Sequence, residues 1–209
     1  MMEDIFTVSD LETLKVISDP LRISILDNIR LANNTGEYRT VKQLSEILDL
    51  PVSKLYYHIS MLEKHGLIHI AETKLVSGIV EKHYQVSAQD IIIDRQLFAT
   101  GLDQDHKLTA MISLLDGSLD ATRADFLSMV NAVGTEEEVS MRIQGRRGHI
   151  SRDLVRLSPD QANAFYERLL ALVNEFSQLG TEDKNETVIF NLTTAFFPVK
   201  SGRNQGEIE

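Results

Sequence analysis

The side chains best suited to chemistry in this chain lie between Val52 and His65, and that chemistry is recognition rather than bond making. At about 100° per residue on a helix, Val52, Leu55, Ile59 and Leu62 share one face. Ser53, Tyr57, Ser60, Met61 and Lys64 share the opposite face, with Lys54 beside it. Hydroxyls, a phenol and ammonium groups on one helix face can bond phosphate oxygens and base edges in a major groove. Catalytic constellations are missing by comparison. The chain has no cysteine, no Gly-x-Ser-x-Gly elbow and no His-Glu-x-x-His pair, and its histidines (58, 65, 69, 83, 106 and 149) are dispersed. Gly145-Arg146-Arg147-Gly148 lacks the strand-to-helix context and the Lys-Ser/Thr of a nucleotide loop. Asp103, Asp105 and His106 are the one suggestive metal cluster, but one histidine with two aspartates reads better as a polar connecting loop. The expectation is a protein that is not an enzyme, with no catalytic residues, no metal and no cofactor.

Short helices must position that face. Ser9-Asp10 can cap a helix carrying Leu11, Leu14 and Ile17. Asp19-Pro20 starts a second, with Leu21, Ile25, Leu26 and Ile29 at helical spacing, and the turn formers Asn33 to Gly36 end it. After a short extended piece at Glu37-Tyr38-Arg39, Thr40 caps a third helix striped with Val41, Leu44, Ile47 and Leu48. Leu50-Pro51 breaks it, the helix from Val52 follows, and Gly66 stops that one. Two such helices joined around a proline form a helix-turn-helix candidate.

The period then shortens. Leu67 to Thr73 and Val80 to Val86 read as strands joined by Lys74 to Ile79, with Ser77-Gly78 as the hairpin signal. A hairpin behind a recognition helix is the wing of a winged helix, and Lys74 and Lys82, with His83 near, could straddle a phosphate backbone. Arg39, Thr40 and Lys42 at the start of the third helix complete the candidate DNA-binding set.

The run Asp19-Pro20-Leu21-Arg22-Ile23-Ser24-Ile25-Leu26, followed by Val52 to Ile59 and by Leu62-Glu63-Lys64-His65-Gly66-Leu67-Ile68, resembles the ArsR-type winged-helix transcriptional regulators. The wing from Val76 to Tyr84 is similar to a branch of that group with a larger C-terminal domain. The resemblance implies a homodimeric DNA-binding regulator, usually a repressor. It matches Ser53, Lys54, Tyr56, Tyr57 and His58 to the positions that read the groove. The helical wheel favours Ser53 and Tyr57 and leaves Tyr56 and His58 at the edge of the core. Metal-sensing members that use thiolates are excluded by the absence of cysteine.

Beyond Ala88, Asp90-Ile91-Ile92-Ile93-Asp94 leads into a long helical region. Leu108, Met111, Ile112, Leu115, Leu119, Phe126, Leu127 and Val130 give it apolar faces, with Gly117 as a possible interruption. That surface predicts self-association, and a twofold dimer would present two reading heads to a pseudo-palindromic site. Thr135 to Glu138 reads as a solvated helix start. Ile150 to Leu157 reads as a strand. Ser158-Pro159-Asp160-Gln161 opens a helix with the stripe Ala162, Phe165, Leu169, Leu172 and Phe176, and Gly180 follows it. Thr187 to Val199 alternates Val188, Phe190, Leu192 and Phe196 against Asn191 and Thr193, as a strand does. Arg142, Arg146, Arg147, Arg152 and Arg156, with His149, concentrate positive charge. They suit an anionic effector or DNA, but pairing with local carboxylates accounts for them more simply.

The predicted fold class is α+β, with two domains. Residues 1–88 form a winged helix-turn-helix, and 89–209 supply a long dimerisation helix and a small strand-helix-strand module, with 201–209 as a frayed tail. The 209 residues are 43% hydrophobic and 25% charged, which excludes wholesale disorder. The net charge of −10 argues against nucleic acid on average, yet residues 38–87 hold six basic and five acidic side chains and so escape it. No membrane segment is apparent, and the protein is read as soluble and cytoplasmic. Expected partners are double-stranded DNA, a second copy of the chain and a small-molecule effector. The alternative is a winged-helix interaction module without DNA binding.

Overall fold

The computed structural model describes residues 3–94, 96–99, 104–131, 150–179 and 189–199. Local sequence signals set most helix boundaries. α1 (Leu11–Ile17) is capped by the Asp10 carboxylate, which accepts from the Thr13 amide and is held below the usual carboxylate range by that bond. α2 (Pro20–Asn33) has Asp19 as its cap and proline in its first turn. Arg22 then reaches back to donate to the Val16 and Lys15 carbonyls at the end of α1. The Asp-Pro-Leu-Arg run therefore starts one helix while satisfying the last carbonyls of the one before.

α3 (Val41–Leu48) begins in a reciprocal capping box between Thr40 and Gln43 and ends at Asp49, whose φ of 50 turns the chain toward α4 (Val52–Lys64). Gly66, at φ +70, turns the chain out of α4 toward the first wing strand. Leu55, Ile59 and Leu62 of α4 are buried with Leu14, Ile25, Ile29 and Leu44, as the helical pattern predicts. Of the expected α3 stripe, Val41 and Leu44 are buried and Leu48 packs in part against the core, while Ile47 differs from expectation in being half exposed.

β2 (Ile68–Val76) and β3 (Ile79–Val86) form an antiparallel hairpin. The strands run further than the sequence reading allowed, so the connection is only Ser77-Gly78 rather than residues 74–79. Leu75 pairs with Val80 and Val76 with Ile79, continuing the ladder to a two-residue turn in which both φ values are positive (52 and 82). The base of the wing is tied down at two points. Arg39 and Tyr84 exchange backbone hydrogen bonds, and the Asn33 side chain accepts from the Val86 amide.

β1 (Glu3–Val8) pairs in parallel with β4 (Ala88–Ile93). Neither was expected as a strand. Residues 1–8 carry no strand signal in the sequence, and 90–94 read as an approach to a helix. A parallel partner far away in sequence leaves no local turn signal to find.

After a short α5 (Gln96–Ala99), α6 (Gln104–Asn131) runs unbroken past Gly117 and lies against α1 and α2. Gly117 is a contact, not an interruption: a Cβ there would overlap the Ser18 carbonyl oxygen and stand 2.8 Å from its carbon. Ala110 and Ala121 are buried on the same face, and Leu114 packs beside them. The large apolar side chains read as a self-association surface point away from the head: Leu108, Ile112, Leu115, Leu119 and Phe126 are all exposed in the single chain.

α7 (Pro159–Gln178) has the expected Ser158–Gln161 capping box and proline in its first turn, but buries no side chain of its stripe. Residues 150–157 and 189–199 form neither helix nor strand, and among the described residues no backbone ladder joins either to another segment. The expected strand-helix-strand module thus has its helix but neither of its strands among the described residues. Several expectations fall outside the described residues: Asp103, the side chain of His106, Thr135 to Glu138, Arg142, the stretch 145–149, Gly180, Val188 and the tail 201–209. Among the described residues no helix is long and apolar enough to cross a membrane.

Candidate nucleic-acid interface

α4 is held by its inner face, which fixes the outer one. With Leu55, Ile59 and Leu62 locked in the core, Ser53, Lys54, Tyr56, Tyr57, Ser60 and Lys64 all stand exposed. Tyr56 and Tyr57 are 59% and 63% exposed, so two adjacent phenols project from the first half of the helix. The helical wheel places Tyr56 at the edge of the core, and the structure turns it outward. Met61, expected on the outer face, instead packs in part against the core.

His58 takes the inward position. Its side chain is only 14% exposed, its Nδ1 lies 3.5 Å from the Asp19 carboxylate, and its ring meets Tyr57 edge-on at 5.4 Å. Its ring therefore lies between Asp19 and Tyr57 and does not project from the outer face of α4. Burial pushes its imidazole below the ordinary histidine value of 6.5, against the pull of Asp19, with Arg22 and Lys54 adding to the shift. The folded state therefore favours the neutral ring. The stabilisation it contributes is complete above pH 6.5 and is lost as pH falls through the lowered folded-state value. Thermal unfolding followed between pH 7.5 and 5 should show the unfolding temperature dropping below about pH 6.5, and His58→Gln should flatten that decline. An identical slope in the variant would remove His58 as its source.

The start of α3 is less open than the sequence implied. Thr40 is 3% exposed and its hydroxyl accepts from the Gln43 amide, so it serves the cap and does not reach outward. Arg39 is partly buried against Glu37, at 3.4 Å. Lys42 is exposed.

In the wing, Lys74 is paired with Glu72, and His83 lies between Glu72 and Glu81 at 3.7 and 3.5 Å. Lys82 is exposed. Counting Glu72, Lys74, Glu81 and Lys82, the formal charges of the wing cancel. Its tip, which sequence reasoning did not single out, is apolar on both faces: Leu75, Val76, Ile79 and Val80 are exposed, the first and third above 70%. The run Leu-Val-Ser-Gly-Ile-Val carried that signal, because apolar residues paired across a two-residue turn have no core to enter. Lys74→Ala should weaken binding to all DNA sequences alike and lower the slope of log affinity against log salt by about 1 or less, since Glu72 already competes for the ammonium. A sequence-selective loss in a salt titration would instead make Lys74 a base contact.

A helix-turn-helix domain family matches residues 17–71, about a quarter of the chain, from the end of α1 into β2. No curated protein sequence matches the chain. The matched span contains α2, α3 and α4 in full, and the hairpin behind them supplies the wing, so the chain carries a winged helix-turn-helix domain of the kind found in DNA-binding regulators.

Proposed function

We propose that this chain is a sequence-specific transcriptional regulator of the ArsR type, a homodimeric repressor that reads a pseudo-palindromic operator through α4 and its wing. The observation that carries this reading is the outer face of α4. Ser53, Lys54, Tyr56, Tyr57, Ser60 and Lys64 project from a helix whose opposite face is fixed in the core. Hydroxyls and phenols suit base edges, and the two lysines suit phosphates on either side.

α6 supports the dimer. Leu108, Ile112, Leu115 and Leu119 recur at alternating steps of four and three, on the side of the helix opposite Ala110, Gly117 and Ala121. That is the spacing of a helix–helix seam, and a second copy would remove it from water. Two heads related by a twofold axis would meet successive major grooves, about 34 Å apart. An effector with unequal affinity for the free and DNA-bound dimers would release the operator through a coupling of about 1–3 kcal/mol.

A labelled fragment of the DNA upstream of the chain's own gene, titrated with protein at increasing salt, tests the reading. Binding that weakens steeply with salt is expected. No complex at low salt would end it. Sequencing DNA selected by the protein, with and without cell extract, would give the operator and expose an effector. The second reading, a winged-helix interaction module, is favoured by the apolar wing tip and by the pairing of Lys74 with Glu72. Under that reading, removing the tip side chains abolishes a protein contact and leaves DNA out of account.

A further inference from the structure

Residues 189–199, Ile-Phe-Asn-Leu-Thr-Thr-Ala-Phe-Phe-Pro-Val, contain no charged side chain. It forms no helix, and among the described residues no main-chain hydrogen bond joins it to another segment. Its polar side is already used within its own chain. Asn191 donates to the Asp125 carboxylate at 2.8 Å, and the Thr193 hydroxyl lies 2.6 Å from that of Thr122, so the segment lies along α6. Phe196 also meets Phe165 and Tyr166 of α7, with ring centroids 5.2 and 6.4 Å apart. The segment is thus held through side chains of both faces, by α6 and by α7, while Phe190, Leu192 and Phe197 remain exposed and its main chain is unpaired among the described residues. Proteins protect open strand edges with charge, proline or a cover, and here only Pro198, near one end, does so.

We propose that this edge is covered by the same segment of a second copy, the two pairing antiparallel across the molecular twofold to form an inter-subunit sheet. The sequence is self-complementary about Thr193. In that register Phe190 faces Phe196, Ile189 faces Phe197 and Leu192 faces Thr194, all between the two copies. Pro198, which cannot donate to a ladder, falls outside these pairs. An interface of this kind needs no second partner sequence, because a twofold brings the same patch to both sides. It is continuous with the exposed stripe of α6 through Thr122, the α6 residue that Thr193 touches. The inference rests on the homodimer proposed above and adds how that dimer is closed.

The absence of cysteine makes the test direct, since any thiol introduced is the only one. Asn191→Cys, Leu192→Cys, Thr193→Cys, Thr194→Cys and Ala195→Cys are made in the full chain and oxidised without DNA. A self-opposed residue in an antiparallel pair has its Cα about 4.5–5.5 Å from its copy, within disulfide reach. Covalent dimer should therefore peak at Thr193→Cys and fall off on both sides. Hydrogen exchange on the unaltered protein supplies a second reading that no substitution can disturb. Amides of 189–197 should exchange about tenfold or more slowly at concentrations that favour the dimer than after dilution to monomer. Uniformly weak cross-linking, or amides indifferent to dilution, overturns the proposal. These outcomes are separate from those for DNA: a chain that binds operator as a monomer refutes the shared strand and leaves DNA recognition standing.

Discussion

Gly117→Ala should lower the unfolding temperature of this protein, although alanine normally strengthens a helix. In the interior of a free helix the change gains about 1 kcal/mol. Here the added methyl meets the Ser18 backbone carbonyl at the end of α1, which cannot rotate away as a flexible side chain would. Overpacking at rigid contacts costs about 1–3 kcal/mol, and a backbone obstacle lies toward the upper end of that range. The sign of the change is therefore diagnostic. A lower midpoint in a thermal melt supports the close approach of α6 to the winged head. A rise would mean that α6 does not dock as described. Because α6 also carries the apolar stripe proposed to bind the second copy, Gly117→Ala should weaken the coupling between the two heads as well. Affinity for a full operator should then fall more than affinity for a half-site.

Tyr57→Ala should leave the fold intact and remove selectivity. The side chain is mostly exposed, and its one described ring neighbour is His58. Loss of a base contact costs about 1–3 kcal/mol, roughly 5- to 150-fold in affinity for the preferred site. Binding to unrelated DNA should change little, because under the proposed reading that would rest on Lys54, Lys64 and other groups placed to meet phosphates. Ser53→Ala is expected to act in the same direction. Competition between operator and random DNA, with the melting temperature as control, checks both variants. An equal loss on every sequence would move Tyr57 from the reading face to the phosphate contacts.

Comparison of particular elements shows what was legible and why. Asp10, Asp19-Pro20, Thr40 with Gln43, and Ser158 with Gln161 were readable because a cap is an interaction within one helical turn. The inner face of α4 was readable because periodicity alone groups Leu55, Ile59 and Leu62. The wing is legible but its turn reads too long, since Leu75, Val76, Ile79 and Val80 continue the ladder where polar turn residues would have ended it. Tyr56 and His58 illustrate a limit of the helical wheel. Both lie about 80° from the centre of the core face of α4, one on each flank, so their positions on the wheel are equivalent. The start of α2, with Asp19, lies on the His58 flank, draws that ring inward and leaves Tyr56 outside.

The sequence by itself determined the helix ends, the hairpin, the inner face of α4 and the residue types available on its outer face. All of these follow from interactions between residues close along the chain. The tertiary structure alone decided the parallel pairing of β1 with β4, the inward turn of His58 in place of Tyr56, and the choice of docking face on α6. That last choice runs against simple hydrophobicity. The small residues Ala110, Gly117 and Ala121 face the head, and the larger Leu108, Ile112, Leu115 and Leu119 face outward. Periodicity states which side chains share a face, but what covers that face depends on the shape of a distant segment. At α6 it is the approach of the Ser18 backbone that selects the side with no Cβ in the way.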